Sequence, residues 1–152
     1  MIATTGGTRV SLASDVANAN GVANTLADVT GLGFNVTAGK RYKFRFQIIY
    51  TAQATTTGSR WSINGPAITE LVYRSHYTLS ATARTFNEGL GAYSLPAASN
   101  ASSLAANNMA VIEGVIKCSA PGNVVARFAS EILNSAITAK AGLSFVEYEA
   151  IA

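Results

Sequence analysis

RYKFRFQIIY, residues Arg41 to Tyr50, sets Tyr42, Phe44, Phe46, Ile48 and Tyr50 in strict alternation with Arg41, Lys43, Arg45, Gln47 and Ile49. Period two places every second side chain on one face of a strand, whereas a helix would scatter both sets around its axis. The stretch is therefore read as a long strand, with Tyr42, Phe44 and Phe46 as core anchors. Arg41, Lys43 and Arg45 form a stripe facing solvent or an interface.

Working outward, Ala38-Gly39 supplies a turn before this strand, and LADVTGLGFNV upstream reads as two short strands or as one broken at Gly31 and Gly33. Glycine inside a strand marks a bulge or a close backbone approach. Downstream, TAQATTTGSRWSINGP (Thr51 to Pro66) reads as a loop tip at Thr55 to Gly58 followed by a strand from Ser59 to Asn64. Trp61 shares a face with Ile63 there and is assigned to the core. The two strands flanking Thr55 to Gly58 are expected to pair as a hairpin. Further strands are expected at Leu71 to Tyr73 and at Tyr77 to Phe86.

Gly89 to Asn108 changes character: Ala, Ser and Asn dominate and charge disappears. It is expected to be a long loop with one helical turn near Ser102 to Ala106, and its Tyr93 and Leu95 are candidate interface residues. Strand signals resume at Met109. Ala120-Pro121-Gly122-Asn123 suggests a second hairpin turn, and Phe128 in the following run is a further core candidate. SAITAKAGLSFVEYEAIA supplies two more strands joined at Ala141-Gly142. The sum is eight to ten strands and no convincing helix, which predicts an all-β, antiparallel β-sandwich, jelly-roll-like. Residues 1–25 are less regular, with one strand signal at Thr8 to Leu12. They are expected to be an N-terminal arm that docks on a neighbour, with residues 26–152 forming the sandwich domain.

The 152 residues suit one domain with one core. Only 12% of them are charged, about half the usual share, so neighbours can cover the surface while desolvating few charges. A homo-oligomer is expected. The formal net charge of +3 is spread out apart from Lys40, Arg41, Lys43 and Arg45, which argues against a nucleic-acid partner. No apolar run approaches membrane-spanning length, and MIATTGGTRV lacks the pattern of a secretory signal, so synthesis in a cytoplasm is expected.

The residue kit for catalysis is thin. His76 is the sole histidine and Cys118 the sole cysteine. Neither a nucleophile elbow nor a Cys/His metal motif is present, so no catalytic residue, cofactor or metal is assigned. The eight carboxylates are dispersed, and Glu131 is expected to pair with Arg127 or Arg60. Trp61 with Tyr50 and Arg60 is the one alternative candidate site, because aromatic rings stack on sugar faces.

Leu26 to Phe145 resembles a domain of tailed-phage and prophage virion proteins. The resemblance lies in TAGKRYKF, TTGSRWSINGP, IEGVI, RFASE and SAITAKAG. It implies a virion structural role and no catalytic or ligand residue. Because the chain is short, the expected role is a capsid decoration or cement protein on the outer capsid surface, a homotrimer bridging capsomers of the major capsid protein. The alternative is a short tail or fibre-tip component that binds a host glycan through Trp61, Tyr50 and the loop Gly89 to Asn108.

Overall fold

A computed structural model describes residues 7–93, 102 and 104–151. Among them eleven strands follow one another: β1 (Thr8–Ser11), β2 (Val16–Asn18), β3 (Ala27–Val36), β4 (Arg41–Ala52), β5 (Ser59–Asn64), β6 (Ile68–His76), β7 (Asn87–Leu90), β8 (Asn108–Cys118), β9 (Gly122–Ser130), β10 (Ile137–Ala139) and β11 (Phe145–Ile151). The described residues hold no helix. β4, the strand with the clearest alternation, lies at the centre of the larger sheet, between β8 on one side and β11 with β10 on the other.

Two antiparallel sheets form the sandwich. The larger runs β1-β11-β4-β8-β6-β7, with β2 and β10 extending the β1 and β11 rows, and the smaller runs β3-β9-β5. Three strands thus face eight, whereas a double-sheet jelly roll is built of eight in all. Between the sheets lies one apolar cluster. Phe34 of the small sheet packs among Tyr42, Phe44, Phe46 and Tyr148, and Trp61 packs between Tyr50 and Phe128.

Several sequence expectations need correction. β4 and β5 do not form a hairpin: β4 belongs to the large sheet, β5 to the small one, and the chain crosses the sandwich at Gln53 to Gly58. Nor is Ala120 to Asn123 a hairpin turn, since β8 lies in the large sheet and β9 in the small. In both cases apolar faces on opposite sheets come together, so the chain turns a corner rather than folding back within one sheet. Tyr77 to Phe86 is not a strand; beyond a single bridge between Thr78 and Arg84 it is bends and irregular chain. The Ser80 hydroxyl accepts from the N–H groups of Thr82 and Ala83, a local alternative to a ladder. Ala105 and Ala106 form a bend rather than a helical turn.

The N-terminal segment, expected as an arm reaching a neighbour, lies in its described part within the large sheet of its own chain. β1 pairs with β11 and β2 with β10. Both rows are interrupted at the same level, by Leu12 to Asp15 in one and Lys140 to Ser144 in the other. The Ser144 hydroxyl fills the resulting gap beside β4, accepting from the Ile49 N–H at 3.1 Å and donating to the Ile49 carbonyl at 3.2 Å. Asp15 closes the outer side, accepting from the Lys140 ammonium and from the Ala141 N–H. These contacts hold the Asp15 carboxyl below its usual pKa, the lysine foremost.

Candidate interaction surfaces

The outer face of the large sheet carries the basic stripe. Each member meets a carboxylate from another strand of the sheet, Arg41 reaching past β8 to β6. Arg41 of β4 forms a two-pronged bond with Glu70 of β6 (Nε to Oε2 2.9 Å, Nη2 to Oε1 2.8 Å), Lys43 lies 2.9 Å from Glu149 of β11, and Arg45 lies 3.8 Å from Glu113 of β8. Glu70 also meets Lys117, and Glu113 also meets Arg74. Above all the Arg41 hydrogen bonds hold the Glu70 carboxyl below the ordinary range. The stripe is therefore neutralised in place, which leaves little unbalanced positive charge to draw a phosphate backbone.

These carboxylates come from residues 70, 113 and 149, far apart in sequence and dispersed when read along it. Strand register collects them. Like the stripe, they stand at positions alternating with the buried ones, so each falls on the outer face.

A second surface lies at the end of the sandwich where β4 ends and β5 begins. Loops from four places in the chain are hydrogen-bonded together there. Asn134 N–H donates to the Asn20 carbonyl, Gln53 N–H to Ala136, Glu131 N–H to Gly58, and Ser102 N–H to Thr55. Polar backbone groups are thereby satisfied inside the loop cluster, while apolar side chains stay outside: Val22 is 71% exposed, Leu104 58%, Leu133 52% and Ile132 46%. Single exposed apolar residues are ordinary, but four carried on interlocked loops at one end make it a candidate interaction surface.

The outer face of the small sheet is polar and shallow. Asp28, Thr30, Asn64 and Asn123 border a groove there with Gly31, Gly65 and Val125. Asn123 donates to Asn35 at 3.2 Å.

Trp61, Tyr42, Phe44, Phe46 and Phe128 are all buried. Trp61 donates its indole N–H to the Ser59 hydroxyl at 3.0 Å, and Tyr50 beside it is buried as well. The sugar-stacking site proposed for Trp61 and Tyr50 is thus corrected: neither ring offers a face to solvent. Arg60 takes the pairing expected for Glu131, at 3.1 Å in a largely buried position. Tyr93 is half-buried; its hydroxyl donates to the Pro66 carbonyl at 2.9 Å, and burial pushes its pKa up. Its backbone carbonyl accepts from Arg127 at 3.0 Å. Leu95 lies outside the described residues, as do residues 94–101 and 103 of the loop assigned to Gly89 to Asn108. Cys118 is buried, which raises its thiol pKa. His76 packs edge-on to Phe86, ring centroids 4.4 Å apart. Among the described residues no group of three or more His, Cys, Asp or Glu is placed to hold a metal.

The loop-end apolar surface had a weak signature in sequence. Val22 sits in an Asn/Gly/Ala segment and Ile132-Leu133 just past a strand end, but only the hydrogen bonds between their loops bring them to one place.

No family model, curated protein or solved structure matches the chain.

Proposed function

We propose that the chain is a structural protein of a tailed-phage virion, a capsid decoration or cement protein that binds the outer shell as a homotrimer and bridges neighbouring capsomers of the major capsid protein. The observation that carries this reading is the pairing of two surfaces on one small sandwich. A neutralised outer sheet presents little net charge to repel a shell, and the loop end with Val22, Leu104, Ile132 and Leu133 is suited to adhesion. The sequence resemblance supports the same role. The mechanism is mechanical: many weak contacts, each a fraction of a kcal/mol, sum across adjacent capsomers and stabilise the shell by mass action.

The test is copy number and binding together. Quantitative mass spectrometry of virions is expected to show a ratio near one copy per major capsid subunit. Capsids lacking the protein are expected to bind it and to gain heat resistance, and Val22→Asp with Leu133→Asp is expected to abolish binding while the fold persists. A handful of copies per particle would move the protein to the tail. The glycan-binding alternative would then need a site other than Trp61 and Tyr50.

A further inference from the structure

One row of residues crosses the whole outer face of the large sheet at right angles to its strands. Arg9 of β1 stands opposite Glu147 of β11, Glu147 opposite Arg45 of β4, Arg45 opposite Glu113 of β8, Glu113 opposite Arg74 of β6, and Arg74 opposite Glu88 of β7. Charge alternates at every step, and every neighbouring pair of strands is antiparallel. The row begins on a cation and ends on an anion. Both end residues are exposed, and Glu88 makes no ion pair among the described residues. β1 and β7 are also the two edges of the sheet, each paired on one side only among the described residues.

From this we infer that the partner of these edges is a second copy of the chain, docked head to tail, with β1 of the next copy lying against β7. Parity supports the geometry. Six strand rows of alternating direction mean that a copy added with the same face outward brings its β1 antiparallel to β7, ready for ladder hydrogen bonds. The same step sets Arg9 of the next copy beside Glu88, so the alternation continues across the junction. Kept in the register of the row, the two symmetric edge pairings fail this match: β1 on β1 places arginine against arginine, and β7 on β7 places glutamate against glutamate. Like charges directly opposite are destabilising.

Short, charged edge strands are also a device against uncontrolled edge association. Here that device is selective, because it blocks like edges and leaves unlike edges complementary. A head-to-tail contact gives a ring if its rotation closes and a filament if it does not. This inference deepens the oligomer within the proposed function and is independent of the capsid.

The test is sedimentation velocity of the full chain with three variants, Arg9→Glu, Glu88→Arg and the double exchange, each checked by thermal melting. The unmodified chain is expected to self-associate. Each single exchange is expected to raise the dissociation constant about tenfold, and the double exchange to restore it. A monomer at every soluble concentration, single exchanges without effect, or a folded double exchange that fails to recover would each overturn the inference. Hydrogen exchange on the unmodified chain gives a mutation-free check. On association Thr8–Ser11 and Asn87–Leu90 are expected to gain protection together, and protection of one edge alone would overturn it. A chain that binds capsids while remaining monomeric would remove this interface and leave the shell-binding reading standing.

Discussion

The indole of Trp61 lies nearly parallel to the ring of Phe128, centroids 4.9 Å apart and planes 15° from each other, across the β5-β9 register pair that joins the same two residues. One residue pair thus serves both the sheet and the core between the sheets. Trp61→Ala removes the ring from a fully buried position and also removes the donor to the Ser59 hydroxyl. The expected loss is about 3–5 kcal/mol. Urea unfolding followed by circular dichroism measures it, since Trp61 is the chain's only tryptophan. An unchanged midpoint would place the ring outside the core.

Ser144→Ala tests the patch at the strand interruption. The hydroxyl accepts from the Ile49 N–H and shares the Ile49 carbonyl with the Lys140 N–H, and Ser144 is fully buried. Loss of that partner is expected to destabilise by about 1–3 kcal/mol, and the Ile49 amide to exchange faster with solvent. Equal exchange in both proteins would mean that another group fills the gap.

Gly114→Ala is expected to be the most disruptive small substitution in β8. An added Cβ would lie 2.1 Å from the Val72 carbonyl oxygen and 2.7 Å from the Tyr73 Cα, both backbone atoms of β6. Neither can turn aside as a side chain would, so β6 and β8 must part. A cost of about 1–3 kcal/mol or more follows, read as a lowered melting temperature. A neutral result would show that the two strands separate freely at this point.

Stability is expected to fall in acid, and Glu70 and Asp15 contribute to that fall. Both carboxyls have folded pKa values below their ordinary ones, through Arg41 and Lys140 respectively. A depressed folded pKa stabilises above the unfolded pKa, and that contribution disappears as pH drops through the folded value. The window runs from about pH 5 downward, given ordinary values near 4. Glu70→Gln and Asp15→Asn are expected to flatten the pH dependence of the unfolding midpoint there. An unaltered slope in both variants would assign acid sensitivity to other groups.

The basic stripe is expected to behave as paired surface charge. Lys43→Ala and Arg45→Ala should each change stability by less than about 1 kcal/mol. The unmodified chain should pass through a DNA column at physiological salt. Retention that Lys43→Ala abolishes would show that the stripe is available to phosphate despite Glu149.

Face alternation was legible where it was strongest. In β4 every second residue from Tyr42 to Ala52 is buried, as RYKFRFQIIY alone indicates, and the all-β sandwich follows from that pattern repeated elsewhere. Pairing was harder to read. The turns after β4 and β8 contain the same Gly, Pro and Thr chemistry as hairpin turns, and nothing in four residues records whether the next strand rejoins the ladder or crosses to the other sheet. Tyr77 to Phe86 has strand-like composition, yet its backbone bends where the Ser80 hydroxyl accepts from the Thr82 and Ala83 N–H groups. The charge row was illegible for a related reason: Arg9 and Glu147 become neighbours only once the first and last described strands pair.

The alternating row also determines how far the sheet can be felt. Adjacent strands lie about 4.8 Å apart, so the sign of charge repeats every two strands, about 9.6 Å. The potential above such a pattern decays e-fold in about 1.5 Å, the period divided by 2π, well inside the Debye length of about 8 Å at physiological ionic strength. One layer of water above the surface, positive and negative fields have largely cancelled. Between its unlike ends at Arg9 and Glu88 the row is therefore electrostatically silent to an approaching molecule and becomes legible only on contact, where a lateral slip of one strand reverses every match.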